Sequence, residues 1–227
     1  MTALITLSHG SRHPRAVDGI KALTRAAAAL AEAESADAHL EFNEPSLEGA
    51  AQALNGPAVV VPLLFTEAFH AKHDVPAHLK AARAHAPLRL TKGLGLGEDV
   101  AEVLSERLLA DAPKHAHPVL YPVGTSDEVQ ARRYVEVAGS VGKRTASTVD
   151  VVAATRGGEE HLTELARTRG DLHILPLFVT DGLLLDKARD AIPRIEAATG
   201  ARVTCSGPLT TDLAGIVADR YRTTLEV

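Results

Sequence analysis

Two continuous apolar runs of the same shape occur in the two halves of the chain. Residues 59–65 read VVVPLLF and residues 172–179 read LHILPLFV. An unbroken apolar run of this length is typical of a strand buried on both faces of a parallel sheet. A polar loop with two histidines, His70 and His73, follows the first run only. Open α/β sheets bind ligands at the carboxyl ends of their strands. The two runs therefore predict buried strands of a parallel sheet, and the loop after the first run predicts a functional site.

Short apolar segments alternate with helical segments along the whole chain. The predicted strands cover residues 3–7, 38–42, 59–65, 88–90, 119–123, 149–153, 172–179 and 201–204. The predicted helices cover residues 14–33, 47–54, 76–85, 98–109, 185–198 and 212–221, with two more after the strands at 119–123 and 149–153. This alternation predicts parallel sheets with right-handed crossovers.

The pattern restarts after a proline-containing segment at residues 111–118, which resembles a linker. Pro62 and Pro176 are 114 residues apart, and the same offset relates several other strand-end residues. A repeat this long indicates a domain duplication, because solenoid repeats have periods of roughly 20–50 residues. We therefore predict two tandem doubly wound, flavodoxin-like domains with parallel four-stranded sheets, at residues 1–112 and 113–227.

Charge and composition exclude several classes of protein. The net charge of −5 argues against a general nucleic-acid binder. Aromatic residues make up only 3% of the chain, so the core must consist of Ala, Leu and Val. The one cysteine, Cys205, excludes an internal disulfide framework and is expected to be a small buried side chain. The N-terminal apolar run is too short for a signal peptide, and no run approaches the roughly 18 residues of a membrane helix. We expect a cytoplasmic protein.

The polar strand-end residues of the first half are replaced in the second. The offset pairs His9 with Val123, Glu41 with Thr155, His70 with Leu184 and His73 with Lys187. The apolar strand cores are kept while these polar groups are lost. If the polar groups were structural, both copies would need them. This contrast predicts one working site, in the first half, with the second half as its support or lid.

The predicted site combines two imidazoles and a carboxylate. A doubly wound sheet commonly places strand one between strands two and three. His9, Glu41 and His70 would then lie at neighbouring strand ends on one edge of the sheet. Such ligands suit a borderline divalent metal such as Fe²⁺, Co²⁺, Ni²⁺ or Zn²⁺. A histidine that titrates near neutrality can also accept a proton.

Other polar and glycine residues have more ordinary explanations. His73 is open between a metal ligand, a partner of a ligand and a helix cap, and Glu44 is expected in the first turn of a helix. The glycines at residues 93–97 lack the Lys-Ser/Thr of a phosphate loop and predict a structural turn. The remaining histidines are expected to be solvated surface residues: His13, His39, His78, His85, His115, His117, His161 and His173.

With these residues in view, the sequence resembles the sirohydrochlorin chelatases of the class II tetrapyrrole chelatase superfamily, in their two-domain form. The matching segments are HGSR at residues 9–12, LE at 40–41, EPS at 44–46, VPLL at 61–64 and HAKHDVP at 70–76. One departure is His39, which stands where the family has the aromatic residue of a Phe-Leu-Glu motif.

The resemblance implies insertion of Fe²⁺ or Co²⁺ into sirohydrochlorin, on the route to siroheme or cobalamin. The metal is then a substrate, and no organic cofactor is expected. The resemblance places the metal ligands on His9 and His70 and the assisting carboxylate on Glu41. We expect a monomer whose two halves form the macrocycle cleft. The residues expected to contact the macrocycle are Ser11, Arg12, Arg15, Lys72, His73 and Lys92.

Three alternatives remain open from the sequence. A phosphohistidine phosphatase would need an arginine directly before the histidine, where Ser8 stands. A metal or tetrapyrrole carrier could keep the same histidines without turnover. A chelatase for another metal, such as Ni²⁺, would use the same ligand types, because ligand type alone does not select among these ions.

Overall fold

The computed structural model describes residues 2–54, 56–66 and 75–226. Residues 2–95 contain β1 (Ala3–Ser8), α1 (Ala16–Ala31), β2 (Ser35–His39), α2 (Leu47–Leu54), β3 (Ala58–Pro62), α3 (Val75–Ala82) and β4 (Leu88–Leu90). The chain continues with α4 (Glu98–Asp111), β5 (His117–Pro122), α5 (Glu128–Thr145), β6 (Asp150–Val151), α6 (Gly158–Arg169), β7 (Leu172–Leu177), α7 (Leu183–Thr199) and β8 (Val203–Cys205). A short 3₁₀ helix at Thr210–Leu213 leads into α8 (Ala214–Leu225).

The strands form two parallel four-stranded sheets of the same topology. Their orders are β2-β1-β3-β4 and β6-β5-β7-β8. Leu7 pairs with Pro62 in the first sheet, and Tyr121 pairs with Pro176 in the second, so the offset of 114 is kept on both strands. The predicted α/β fold with two doubly wound sheets is confirmed, as is the position of strand one between strands two and three.

Burial explains why the central strands read as unbroken apolar runs. All residues of β1, β3 and β7 are buried. A strand in the middle of a parallel sheet has helices packed on both faces, so its alternating side chains all enter apolar layers. Thr6 is a polar exception in β1. Its hydroxyl lies 2.5 Å from that of Thr24 on α1, which in turn donates to the carbonyl of Ile20.

The compact units differ from two consecutive halves of the chain. One unit comprises Met1–Gly95 with Thr210–Val227, and the other comprises Leu96–Leu209. Helix α4 therefore packs with α5, and α8 packs with α1 and β3. The predicted domain boundary between residues 112 and 113 describes the sequence repeat, and it stays a prediction.

The second strand of each sheet differs from the prediction, because β2 begins and ends earlier and β6 is shorter. β2 ends at His39 rather than at residue 42, and β6 covers two residues rather than five. The backbone ladder nevertheless continues beyond β2, because Leu40 N donates to Ser8 O. Phe42 then has a φ of 65°, which no strand residue adopts. The sequence SADAH hid this strand, because its apolar residues are only two alanines and both Ala and Asp are depleted in strands.

Three histidines predicted as solvated surface residues are buried, which is a correction. His13, His39 and His173 have exposed fractions of 6%, 1% and 1%. Each has polar neighbours, which a buried ring requires. His173, for example, lies 2.8 Å from Thr204 Oγ1 and 2.9 Å from Ser206 Oγ. Burial lowers the pKa of His173, although the charge of Asp111 opposes that shift.

The other histidines predicted at the surface are at least partly accessible: His85, His115 and His161 are exposed, and His78 and His117 are half-buried. Cys205 is also half-buried, and burial is the main cause that raises the pKa of its thiol to about 11. Among the described residues, no helix is long and apolar enough to cross a membrane.

The packing of α8 generates a stability prediction. Val217 on α8 is fully buried, whereas Val135 on α5 is 63% exposed. We expect Val217→Ala to lower the free energy of unfolding by about 2 kcal/mol, because it removes buried methyl groups. Val135→Ala is the matched control and should change it by less than about 0.5 kcal/mol. Hydrogen exchange should show lost protection in β1–β4 first. Preferential loss in β5–β8 would contradict the assignment of α8 to the first unit.

Candidate metal site and its surroundings

Polar residues gather at the carboxyl edge of the first sheet. His9 follows β1 directly, Glu41 follows β2 by two residues, and Lys92 follows β4 by two residues. The strands are parallel, so these positions share one edge of the sheet. The structure thus brings the predicted residues after strands one and two to neighbouring strand ends.

A direct backbone hydrogen bond joins the two central residues. Glu41 N donates to His9 O over 2.9 Å, one step beyond the bond from Leu40 N to Ser8 O. In the second unit, Thr155 N donates to Val123 O over 3.0 Å. The same bond thus occurs where the offset of 114 predicts it. The second unit keeps the backbone geometry and lacks the imidazole and the carboxylate.

Gly10 makes the turn after His9 possible. Its φ is 91°, a conformation that L side chains rarely adopt. A Cβ atom at residue 10 would lie 1.8 Å from the carbonyl oxygen of Glu41. The absent side chain therefore lets the backbone of the β2 loop approach the β1 turn. This approach brings His9 and Glu41 together.

The loop after β2 is fixed by its own polar groups. Asn43 N donates to Glu41 O over 2.8 Å, and Asn43 Oδ1 accepts from Ser11 N over 2.8 Å. Glu44 Oε2 accepts from Ser46 N just before α2. Glu44 was expected in the first turn of a helix, and it instead lies just before α2, which begins at Leu47. The amide of Asn43 thus joins the loop to the segment that carries the candidate substrate-binding residues.

The candidate substrate-binding residues in the described part of the chain lie along this edge. Ser11 is half-buried, and its hydroxyl accepts from His13 N over 3.1 Å. Arg12 and Arg15 are exposed at the turn that leads into α1, and Lys92 is exposed after β4. Exposed cations at the carboxyl edge suit an anionic ligand.

Phe42 is a site residue that the sequence reasoning missed. Its ring lies 6.1 Å from the His9 ring, centroid to centroid, with 28° between the ring planes. The guanidinium carbon of Arg12 lies 4.8 Å from the centre of the Phe42 ring. One signal was available in the sequence. Phe42 is one of only four phenylalanines, and it directly follows a candidate catalytic glutamate.

A chain of polar groups joins the last residues of β1 and β2, Ser8 and His39, and extends to Asp37. His39 Nδ1 is 2.7 Å from Ser8 Oγ, and His39 Nε2 is 3.2 Å from Asp37 Oδ2. An ionised carboxylate can only accept, so Nε2 donates to Asp37. His39 N also donates to Pro45 O over 3.0 Å. His39 thus ties β1, β2 and the loop together directly beneath the site.

The pKa of Asp37 reflects this chain. Burial alone would raise it, but the hydrogen bond and charge interaction with His39 outweigh burial. The pKa of Asp37 therefore lies below its ordinary value, and the carboxylate is ionised at neutral pH.

Part of the predicted site lies outside the described residues: His70, Lys72 and His73. Within residues 2–54, 56–66 and 75–226, no group of three or more histidine, cysteine, aspartate or glutamate side chains could hold a metal ion. The two-histidine metal site therefore stays a prediction, supported so far by the placement of His9 and Glu41.

Comparison with known proteins finds sirohydrochlorin chelatases among the similar sequences. The CbiX family model matches residues 3–111. A sirohydrochlorin ferrochelatase of Priestia megaterium is 25% identical over 211 residues, covering 86% of this chain and 79% of that protein. A sirohydrochlorin cobaltochelatase of Sulfurisphaera tokodaii is 38% identical over 73 residues, covering 30% of this chain and 60% of that protein. The predicted resemblance to the sirohydrochlorin chelatases is confirmed.

A solved structure shows the same fold over the whole chain. It is the sirohydrochlorin chelatase SirB from Bacillus subtilis subspecies spizizenii in complex with cobalt. The TM-score is 0.82 at 23% sequence identity, with 100% of this chain and 96% of that chain covered. At this identity the likeness establishes the two-sheet architecture.

The close approach at Gly10 predicts a large effect of a small substitution. Gly95→Ala is the matched control, because Gly95 has a φ of 75° and an added Cβ would meet nothing within 4 Å. We expect Gly95→Ala to cost about 1–2 kcal/mol for the left-handed backbone alone. Gly10→Ala should cost about 3 kcal/mol or more, since the Cβ must displace the Glu41 carbonyl. Equal losses in denaturant unfolding would contradict the packing described.

The lowered pKa of Asp37 predicts a pH-dependent stability. A carboxyl whose folded pKa is depressed stabilises the fold above its unfolded pKa, and this contribution is lost as the pH falls through the folded pKa. The free energy of unfolding of the wild type should therefore exceed that of Asp37→Asn most at pH 6–7, and the difference should shrink below about pH 4. Urea unfolding at a series of pH values measures it. A difference that stays constant from pH 7 to pH 3 would contradict the prediction.

Proposed function

We propose that this protein is a sirohydrochlorin chelatase that inserts Fe²⁺ or Co²⁺ into sirohydrochlorin. The observation that carries the proposal is the backbone contact that brings His9 and Glu41 together in one unit. The equivalent contact in the other unit joins Val123 and Thr155, which cannot bind a metal through an imidazole and a carboxylate. The names of the relatives, sirohydrochlorin ferrochelatase and cobaltochelatase, support the same reaction.

The metal ligands in this proposal are His9 and His70. Two neutral imidazoles bind Fe²⁺ and Co²⁺ and leave coordination positions open for the macrocycle nitrogens. An incomplete protein ligand set also suits a metal that must leave the protein with the product. The side chain of Glu41 is exposed at the same edge, so it is accessible to a bound substrate.

The reaction must dispose of two protons. The divalent ion replaces two pyrrole N–H protons, so the overall charge balances only when a base accepts them. Glu41 is the base that we assign first, with His9 and His70 as the other acceptors near the metal. The turn at Gly10 keeps the carboxylate-bearing residue fixed relative to His9.

Local cations offset the overall negative charge of the protein. Sirohydrochlorin carries several carboxylates, whereas the chain has a net charge of −5. We propose that the carboxylates pair with cations at the sheet edge and with their polar neighbours. These residues are Ser11, Arg12, Arg15, Lys72, His73 and Lys92.

The finer aspects of the function remain predictions. They are the physiological metal, including Ni²⁺ as an alternative, the siroheme or cobalamin pathway, the monomeric state, the macrocycle cleft and the cytoplasmic location. A metal or tetrapyrrole carrier without turnover is the main alternative. It shares the ligands of the chelatase and differs in the rate of metal insertion.

The direct experiment is anaerobic absorbance spectroscopy of sirohydrochlorin with Co²⁺ or Fe²⁺. The wild type should accelerate metal insertion, and His9→Ala and His70→Ala should fall to the uncatalysed rate. Glu41→Gln should lower kcat by about 100-fold, the usual contribution of a general base. His85→Ala is the matched control, because His85 is exposed in the turn after α3 and pairs with Glu48 on α2 of the same unit.

The carrier alternative gives a different result. In that case the wild type would bind Co²⁺, seen in its visible spectrum, or the macrocycle, and would not accelerate insertion. His9→Ala and His70→Ala would then weaken metal binding without any catalytic effect. An unchanged insertion rate in both histidine variants would contradict the assigned metal ligands.

A further inference from the structure

We propose that Phe42 is a positioning residue that holds the Arg12 guanidinium beside His9, and so sets where a carboxylate of the macrocycle binds relative to the metal. This inference deepens the proposed chelatase function and rests on it. Neither the family resemblance nor the comparisons assign a role to residue 42.

The geometry places one aromatic ring next to both groups. The Phe42 and His9 rings are roughly stacked, with centroids 6.1 Å apart. The Arg12 guanidinium carbon is 4.8 Å from the Phe42 centroid, within the range of a cation–π contact. Phe42 therefore joins a metal-ligand candidate to a carboxylate-binding candidate through side-chain contacts.

The backbone at Phe42 is unfavourable for its side chain. A φ of 65° is in the left-handed region, where a bulky residue is a genuine outlier. In the second unit, the offset of 114 pairs Phe42 with Arg156, and the left-handed residue of that loop is the next one, Gly157. The first unit thus keeps an aromatic side chain in a conformation that glycine adopts without strain.

The fold gains little from this ring. Phe42 is 53% exposed, so about half of its surface remains in water. The loop is held instead by the backbone and amide bonds of Asn43, to Glu41 and Ser11. Strained residues that surrounding bonds hold in place cluster at functional sites. Strain and exposure together point to a role in binding rather than in packing.

An orienting partner matters for an exposed arginine. The guanidinium is planar and binds a carboxylate through two parallel hydrogen bonds, so its orientation determines the geometry of the pair. The aromatic face restricts that orientation before the substrate binds. We therefore expect Phe42 to affect the affinity for the macrocycle more than the rate of the chemical step.

The experiment compares five variants: Phe42→Ala, Phe42→Gly, Phe42→Tyr, Arg12→Ala and the Phe42→Ala/Arg12→Ala double variant. Phe42→Gly separates function from folding, because glycine removes the backbone strain together with the ring. Glu32→Gly is the matched control. Glu32 also has a positive φ, of 51°, but it lies before β2, at the opposite end of that strand from the site.

The first readout is the dissociation constant of metal-free sirohydrochlorin from absorbance titration. Phe42→Ala and Phe42→Gly should weaken binding by about fivefold, as expected for one cation–π contact, and Phe42→Tyr should retain it. Glu32→Gly should bind like the wild type. The double variant should bind no more weakly than Arg12→Ala alone, because both changes remove the same interaction. In steady-state assays, KM should rise with little change in kcat.

Two outcomes would overturn the proposal. One is wild-type affinity in Phe42→Gly. The other is multiplication of the Phe42→Ala and Arg12→Ala effects in the double variant, which would mean that the residues act independently. Failure of the proposed function is distinguishable, because it appears as no metal insertion by the wild type. The macrocycle titration needs no turnover and still tests the link between Phe42 and Arg12.

Discussion

The site depends on the contact between a glycine and a carbonyl oxygen. The Glu41 carbonyl occupies the space that a side chain at residue 10 would need. This contact lets the β1–β2 ladder continue beyond the last strand residue, as far as the bond between Glu41 and His9. Ser8, His39 and Asp37 hold the same two strands from within the sheet. The proposed site residues His9 and Glu41 thus lie where the backbone ladder, the Gly10 turn and the hydrogen bonds of His39 all join β1 to β2.

The second unit shows which parts of this junction belong to the fold. Gly124 has a φ of 101°, and Thr155 bonds to Val123 as Glu41 bonds to His9. The turn and the ladder are therefore needed wherever this sheet is built. The imidazole, the carboxylate and the strained aromatic ring are present only in the first unit. Comparing two copies inside one chain thereby separates residues that both units keep from those that we propose to be functional.

The sequence predicted the fold well because its signals are local. Apolar runs such as residues 59–65 and the constant offset of 114 are enough to predict two parallel sheets. The sequence also placed His9 and Glu41 at neighbouring strand ends, because their positions follow from the order of the strands. β2 was misplaced because the alternating apolar positions of SADAH are alanines, which favour strands weakly. The burial of His39 and the contacts of Phe42 with His9 and Arg12 were missed, since they form between segments that are distant in the sequence and no local pattern records them.

The assignment of α8 to the first unit has a consequence for how the protein folds during synthesis. Residues 96–209 form a unit whose helices and strands are contiguous, so all of its segments leave the ribosome before α8 does. The sheet that carries His9 and Glu41 is synthesised before residues 96–209. Its unit is complete only after α8 is synthesised, because Val217 and Tyr221 of α8 are buried in that unit. The unit that carries His9 and Glu41 is thus synthesised in two stretches, one before and one after residues 96–209. Until α8 is synthesised, the apolar surface that it covers in the folded protein is exposed, and exposed apolar surface favours aggregation.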